Sequence, residues 1–256
     1  MDKPQLSIIV PALNEERHIA DSVSEALKAA EQTGVACEVI VVDDGSKDRT
    51  GQVALRLAEQ DPRIRLVRNA RNMGLGGAYK EGLAVARGAY VTWVPADASH
   101  PAEGLLSAYR SIGQADIILP KPTNPQARAR SRRVISRLYT LCVNLITGFR
   151  IPYYNGLSVH RTELLRSANL ATNNFGFQAE AIAKLLLRGA SYKVVETFIT
   201  ERQLGHSKAF RVKNVLSVVK TLGRILLLSL RARRGGAPAR TEPPRANKPA
   251  EPLSRR

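Results

Sequence analysis

The residues best suited to chemistry stand where short apolar runs end. Ile8-Ile-Val-Pro-Ala-Leu-Asn-Glu15 closes one run on a carboxylate, and Val41-Val-Asp-Asp-Gly-Ser46 closes the next on a pair of them. A uracil or guanine ring and its ribose present N–H and hydroxyl donors, for which carboxylates at Glu15 and Asp44 are suitable acceptors. Taken singly, Asn14 reads as a helix cap and Asp43-Asp44 as an Asx-type turn. Their occurrence at successive strand ends favours a ligand.

A later apolar run ends Thr92-Trp-Val-Pro-Ala-Asp97-Ala-Ser-His-Pro101, which sets one more acid at a strand end, where a ligand's phosphates could lie. One carboxylate can hold Mg²⁺ or Mn²⁺ when phosphate oxygens and water complete the shell, so Asp97 is the candidate metal ligand. His100 precedes a proline-started helix and reads as a capping-region residue before it reads as a second ligand. Arg71-Asn-Met-Gly-Leu-Gly-Gly-Ala78 opens a helix, where Gly74 and Gly76 would let an anion approach backbone N–H groups. No complete Gly-x-Gly-x-x-Gly follows the first strand, which argues against a dinucleotide-binding oxidoreductase.

Positioning these groups requires alternating elements. The pattern predicts strands at 6–10, 38–42, 64–67 and 89–94, separated by helices over about 14–31, 49–60 and 74–87. That order implies right-handed crossovers and a parallel sheet with its loops gathered on one edge, where ligands bind. Further helices are expected over 101–112, 128–147 and 177–188, and further strands over 115–119, 153–159 and 192–200. A last helix, about 209–231, carries Lys213, Lys220, Arg224 and Arg231 on one stripe and Val215, Val219, Leu222 and Leu226 opposite. Such a helix could lie in a membrane interface, or pack on the domain or on a second subunit. The Pro-, Ala- and Arg-rich residues beyond 234 read as a disordered tail.

Charge is unevenly spread along the 256 residues, whose formal net charge is +17. Residues 1–116 hold 13 basic and 16 acidic side chains, whereas 117–162 hold 8 basic and none acidic, and 202–234 hold 9 basic and none acidic. Such clustering calls for an anionic partner. Nucleic acid is disfavoured, because aromatic residues make up only 5% and the basic stretches carry no stacking platform. Cys37 and Cys142 give no disulfide framework, and the short apolar stretch Leu6–Leu13 is too brief for a signal segment, so a cytoplasmic setting is expected. Lys220 and Arg224 interrupt the most apolar run, so no spanning helix is expected.

The stretch between Asp116 and Glu163 is free of acids, which bears on what nucleophile a site there could serve. A hydroxyl that acts as nucleophile needs a general base beside it, whereas a phosphate is already ionised and needs positioning and charge neutralisation. Arg132, Arg133, Arg137, Arg202 and Lys208 are the candidates to hold phosphates, with Asn155 in Tyr153-Tyr-Asn-Gly156 either a site residue or a turn.

Together, Val10-Pro-Ala-Leu-Asn-Glu15, Val42-Asp-Asp-Gly-Ser46, Asn72-Met-Gly-Leu-Gly-Gly-Ala78, Asp97, Ser136-Arg137 with Asn144, Gln178 to Glu180 and Glu201-Arg-Gln-Leu-Gly-His-Ser-Lys208 resemble family 2 glycosyltransferases. The likeness is to the polyprenyl-phosphate sugar transferases related to dolichyl-phosphate mannose synthase, over residues 5 to about 215. It implies a GT-A, Rossmann-like α/β fold with a mostly parallel sheet flanked by helices. It implies that Pro11, Ala12, Asn14, Glu15, Val42, Asp43, Asp44, Gly74, Gly76 and Asp97 bind a GDP- or UDP-hexose. Asp97, Arg137, Arg202 and Lys208 would carry catalysis, and Arg132, Arg133, Arg137 and Asn155 would receive a polyprenyl phosphate at an anionic membrane surface. The family's Asp-x-Asp appears here as Pro95-Ala-Asp97, which leaves one acid for Mg²⁺ or Mn²⁺. The expected organisation is a catalytic domain over 1–208, a basic amphipathic helix over 209–234 and a tail over 235–256, with homo-oligomerisation left open. Transfer to a saccharide hydroxyl, or a non-catalytic nucleotide-sugar-binding module, are the alternatives.

Overall fold

The computed structural model describes residues 3–124, 126, 130–174, 176–198 and 212–234, apart from the side chains of Arg132, residues 212–217 and Arg234. Arg202 and Lys208 lie outside the described residues.

Seven strands form one sheet in the order β3-β2-β1-β4-β6-β5-β7. They are β1 (Leu6–Ala12), β2 (Cys37–Asp43), β3 (Ile64–Arg68), β4 (Tyr90–Trp93), β5 (Ile117–Pro122), β6 (Val159–Arg161) and β7 (Tyr192–Thr197). The helices are α1 (Ile19–Thr33), α2 (Thr50–Gln60), α3 (Leu75–Val85), α4 (Glu103–Tyr109), α5 (Arg130–Thr147), α6 (Thr162–Ser167), α7 (Phe177–Leu186) and α8 (Val212–Arg234). All seven residues of β1 are buried, because helices cover both sheet faces. One apolar layer gathers residues of α1, α2 and α4, and the other residues of α3, α5, α6, α7 and α8.

The mostly parallel sheet expected from sequence is observed, and its one reversed strand is β6. β6 pairs antiparallel with both β4 and β5, so the sheet is mixed. It is also shorter than expected: only Val159–Arg161 joins the sheet, and Tyr153–Gly156 stays irregular. Pro152 precedes that segment and Gly156 ends it, and neither suits a strand interior.

The strand order reverses direction at β1, with β2 on one side and β4 on the other. Pairing with β2 continues to Ala12↔Asp43, but pairing with β4 ends at Ile9↔Trp93. Pro11, which has no N–H to donate, therefore sits beyond the end of the β4 ladder. The gap left between the ends of β1 and β4 is the crevice where α/β sheets of this kind bind ligands.

α8 meets the domain along an edge between the two predicted stripes, with Leu222 of the apolar one packed against the core. Thr221, Ile225 and Ser229 are buried, and Arg224 Nη1 donates to Thr172 Oγ1 at 3.3 Å. Val219 and Leu226 of the predicted apolar stripe remain exposed. Among the described residues, no helix is long and apolar enough to cross a membrane.

Candidate active site

The carboxyl ends of β2, β1 and β4 are neighbours, so Asp44, Glu15 and Asp97 all follow strands that end on one sheet edge. The loops after β1 and β2 are stitched into one wall. Asn14, at φ 56°, donates its N–H to Ser46 Oγ at 3.0 Å and accepts from the Lys47 N–H on Oδ1 at 2.8 Å. The Glu15 N–H donates to Thr50 Oγ1 at 2.8 Å, and the Glu15 side chain is half-buried. Asp48 accepts from the N–H and hydroxyl of Thr50 and the N–H of Glu16. Burial works to raise the Asp48 carboxyl, but these bonds outweigh it and hold its pKa below the usual value.

The paired aspartates do different jobs. Asp43, 5% exposed, accepts the Ser46 N–H on Oδ1 at 3.0 Å, which is the Asx-type turn its sequence allowed, and its Oδ2 lies 3.7 Å from Arg68 Nε. Asp44, 3% exposed, accepts from Asn69 Nδ2 and the Met73 N–H at 2.8 Å and from the Gly74 N–H at 3.0 Å. An ionised carboxylate offers about four acceptor positions, so three of Asp44's are spent on the protein. Val42 and Ala12 bury their side chains in the core, so only their backbones face the edge.

The anion cradle expected at Gly74 and Gly76 is not what the structure forms. The Gly74 N–H goes to Asp44, and the N–H groups of Gly76 and Gly77 go to the Asn173 carbonyl at 2.8 and 3.2 Å. A Cβ on Gly74, whose φ is +80°, would stand 2.6 Å from the Asn173 oxygen, and one on Gly76 would stand 2.6 Å from the Thr172 oxygen. These glycines let the segment before α7 close over the start of α3.

Asp97 follows β4 on a strained turn. Ala98 has φ 53°, unusual for a residue with a Cβ, and is held there by its N–H donating to Ser22 Oγ at 2.8 Å. The next residue, Ser99, gives its N–H at 3.2 Å and its hydroxyl to Asp97 Oδ1, and lies 3.0 Å from His100 Nδ1. His100 and Asn155 then meet across a cleft also lined by Leu105, Pro120, Tyr153 and Thr197. No carboxylate lines it among the described residues. His100 is thus a wall of the cleft as well as the residue before Pro101, which the capping reading did not contain.

The basic helix α5 runs beside the cleft-lining segments in the chain. Arg137 is exposed and Arg133 half-buried on α5, and neither lines the cleft. The reason is the direction of α5, which buries Val143 and Thr147 and turns the opposite face outward.

Residues 7–186 match the profile of the family described as Glycosyl transferase family 2. The chain belongs to this family. Over 103 residues it is 43% identical to a dolichyl-phosphate beta-glucosyltransferase of Trichomonas vaginalis, which covers 38% of this chain and 32% of that protein. Over 211 residues it is 28% identical to an undecaprenyl-phosphate mannosyltransferase of Micrococcus luteus, covering 78% of this chain and 85% of that one. The chain thus spans about a third of the glucosyltransferase but most of the mannosyltransferase. Among solved structures, it superposes on glucosyl-3-phosphoglycerate synthase from Mycobacterium tuberculosis, in complex with Mn²⁺, UDP-glucose and phosphoglyceric acid. The TM-score is 0.61 at 19% identity, covering 86% of this chain and 80% of that one. The fold is therefore of the GT-A type, with a mostly parallel mixed sheet flanked by helices.

The donor set sets a limit on metal chemistry. No group of three or more His, Cys, Asp or Glu side chains comes together among the described residues, and Asp97 gives one oxygen to Ser99. A hard carboxylate of this kind fits a divalent ion that the diphosphate brings most of the ligands to, not an ion caged by protein alone.

Sequence reading missed Asn69, Ser22, Thr50 and Asn173, which hold Asp44, Ala98, Glu15 and α3. Thr50 opens α2, and the start of a helix is a local signal. The other three act across 25 to 97 residues of chain and have no local signal.

Proposed function

We propose that this chain transfers a hexose from a GDP- or UDP-sugar to a polyprenyl phosphate, with inversion, at an anionic membrane surface. The base and ribose would lie in the crevice against Glu15 and the fourth acceptor position of Asp44, with the diphosphate toward Asp97. A Mg²⁺ or Mn²⁺ ion held by Asp97 and the diphosphate oxygens would supply charge neutralisation of the leaving group. The acceptor phosphate oxygen attacks the anomeric carbon, the bond from that carbon to the diphosphate breaks, and the nucleoside diphosphate leaves. No proton need be removed.

The observation that carries this reading is the cleft wall beyond Asp97, which holds His100, Tyr153 and Asn155 but no acid among the described residues. The two carboxylates that bracket the acid-free stretch are far from it in the fold. Asp116 precedes β5, and Arg161, which precedes Glu163, pairs with Tyr90 at the start of β4 and lies 3.6 Å from Asp116. Both acids therefore belong to the amino edge of the sheet, opposite the crevice. A hydroxyl acceptor would lack its base there, whereas an ionised phosphate needs none. The names of the two relatives point to the same acceptor class.

Purified protein incubated with labelled UDP- or GDP-sugars, Mn²⁺ and undecaprenyl phosphate should form a labelled lipid and release nucleoside diphosphate. No release with any donor would overturn the enzymatic reading. Faster transfer to soluble saccharides than to the lipid would overturn the acceptor.

A further inference from the structure

Twelve large apolar side chains are exposed among the described residues, and nine of them are on α5 and α8. On α5, Val134, Ile135, Leu138, Leu141 and Leu145 are 51% to 71% exposed, and their spacing puts them on one helix face. On α8, Val219, Leu226, Leu227 and Leu230 are 43% to 60% exposed. The two helices lie against each other. Ser229 Oγ donates to the Ile146 carbonyl at 2.8 Å, and Arg233 Nη2 donates to the same oxygen at 3.2 Å. Both helices bury their inner sides, at Val143 and Ile225, in the same core layer. Scattered apolar exposure needs no explanation, but nine aliphatic side chains on two touching helices do.

The charges around these stripes are of one sign. Neither helix contains an acidic residue, and Arg130, Arg137, Lys220, Arg231 and Arg233 are exposed on them. An aliphatic face bordered by basic side chains matches a bilayer surface, with headgroup phosphates beside the cations and acyl chains below the stripes. A second copy of the chain matches it less well, since a two-fold contact would set like charges against each other. The tail is a poorer occupant still, because residues 235–256 contain one large aliphatic side chain, Leu253.

The place of α5 in the chain adds a functional constraint. Pro120 and Pro122 precede it and Tyr153 and Asn155 follow it, and all four line the cleft. A bilayer against α5 would border that cleft, so a lipid-linked phosphate could enter with its chain still in the membrane.

We propose that the joint outer face of α5 and α8 docks on an anionic phospholipid surface without spanning it. The inference extends the lipid-phosphate reading above and names the surface that would serve it. It is tested by flotation of the full chain with phosphatidylcholine vesicles, with and without phosphatidylglycerol. The protein should float with the anionic vesicles, and less so as salt is raised. Combining Leu138→Gln, Leu141→Gln, Leu227→Gln and Leu230→Gln should weaken that binding by about tenfold or more, with an unchanged unfolding midpoint because all four side chains are exposed. Flotation equal to the parent's, or a parent that stays with neither vesicle, would overturn the proposal. So would a dimer in sedimentation velocity that the same four substitutions dissolve while vesicles bind nothing. Sugar transfer assayed in detergent, where no bilayer exists, reports on the acceptor reading separately.

Discussion

Asp44 fixes the start of α3 through Gly74. Its Oδ2 accepts the Gly74 N–H at 3.0 Å, while Oδ1 takes the Met73 N–H and the Asn69 amide, both at 2.8 Å. The end of β2 is thereby tied to the loop after β3, and the crevice beside β1 inherits its shape from a buried carboxylate.

Asp44→Asn keeps the size of the side chain but turns an amide N–H₂ toward a donor. Leaving buried donors unpaired costs about 1–3 kcal/mol. Urea denaturation should show that loss, and calorimetry should show weaker UDP or GDP binding. A midpoint equal to the parent's would mean that the carboxylate does not hold the loop.

Gly76→Ala sets two effects against each other. Alanine in a helix is favoured over glycine by about 1 kcal/mol. The new Cβ would stand 2.6 Å from the Thr172 oxygen, 2.9 Å from the Asn173 carbonyl carbon and 3.0 Å from Phe177 Cβ. Two of those are backbone atoms that cannot swing aside, and overpacking of this kind costs about 1–3 kcal/mol. Net destabilisation is expected in thermal unfolding, whereas Gly113→Ala, which meets nothing within 4 Å but has φ +90°, reports the cost of backbone strain alone.

The four strands from β1 to β4 and the helices between them were legible because apolar runs and turn residues alternate there at regular intervals. α1 was mis-started because the left-handed Asn14 and the bonds to Ser46, Lys47 and Thr50 hold 13–18 as a loop, and those partners are 32 to 35 residues away. The three acids were legible as strand-end residues, but the clamp role of Asp44 depends on Asn69 and Gly74, which only folding brings near. The reversed β6 carried no signal, since three residues fix its direction by pairing on both sides.

Asp97 is expected to matter through charge. Asp97→Asn preserves shape and the bonding to Ser99 in part, but removes the anion that a divalent ion would need. Nucleoside diphosphate release should fall by about 100-fold or more. Ser99→Ala should cost about tenfold or less, as loss of a supporting hydrogen bond. Equal rates for Asp97→Asn and the parent would remove Asp97 from the reaction.

Arg137, exposed on α5 and outside the cleft, should act on the lipid rather than on the reacting carbon. A basic side chain at an anionic surface is worth about 1 kcal/mol, or roughly fivefold in affinity. Arg137→Gln should therefore raise the KM for lipid acceptor in anionic vesicles by about that factor, with kcat nearly unchanged and the effect vanishing at high salt. A large fall in kcat would instead return Arg137 to the reaction centre.

His160 on β6 pairs with Ile117 and Val91, is 3% exposed, and its Nδ1 has no hydrogen-bond partner among the described residues. Burial pushes its pKa down from 6.5 to about 4. The unfolded chain then binds this proton more readily than the folded one between those two values. Stability from the neutral imidazole is complete above pH 6.5 and is lost as pH falls toward 4, by about 3 kcal/mol in all at 1.36 kcal/mol per pH unit. Glu38 and Glu180 contribute lower down. Burial raises both carboxyls, but hydrogen bonds, from Ser7 and Arg87 to Glu38 and from Lys184 and Thr172 to Glu180, outweigh it and leave each below 4.5. Their stabilisation is present above about pH 4.5 and fades as pH falls through the depressed values. Urea titrations at pH values between 6.5 and 4.5 therefore isolate the histidine. The parent should lose stability across that interval and His160→Leu should not, and parallel curves for the two proteins would show that the imidazole does not stay neutral in the sheet.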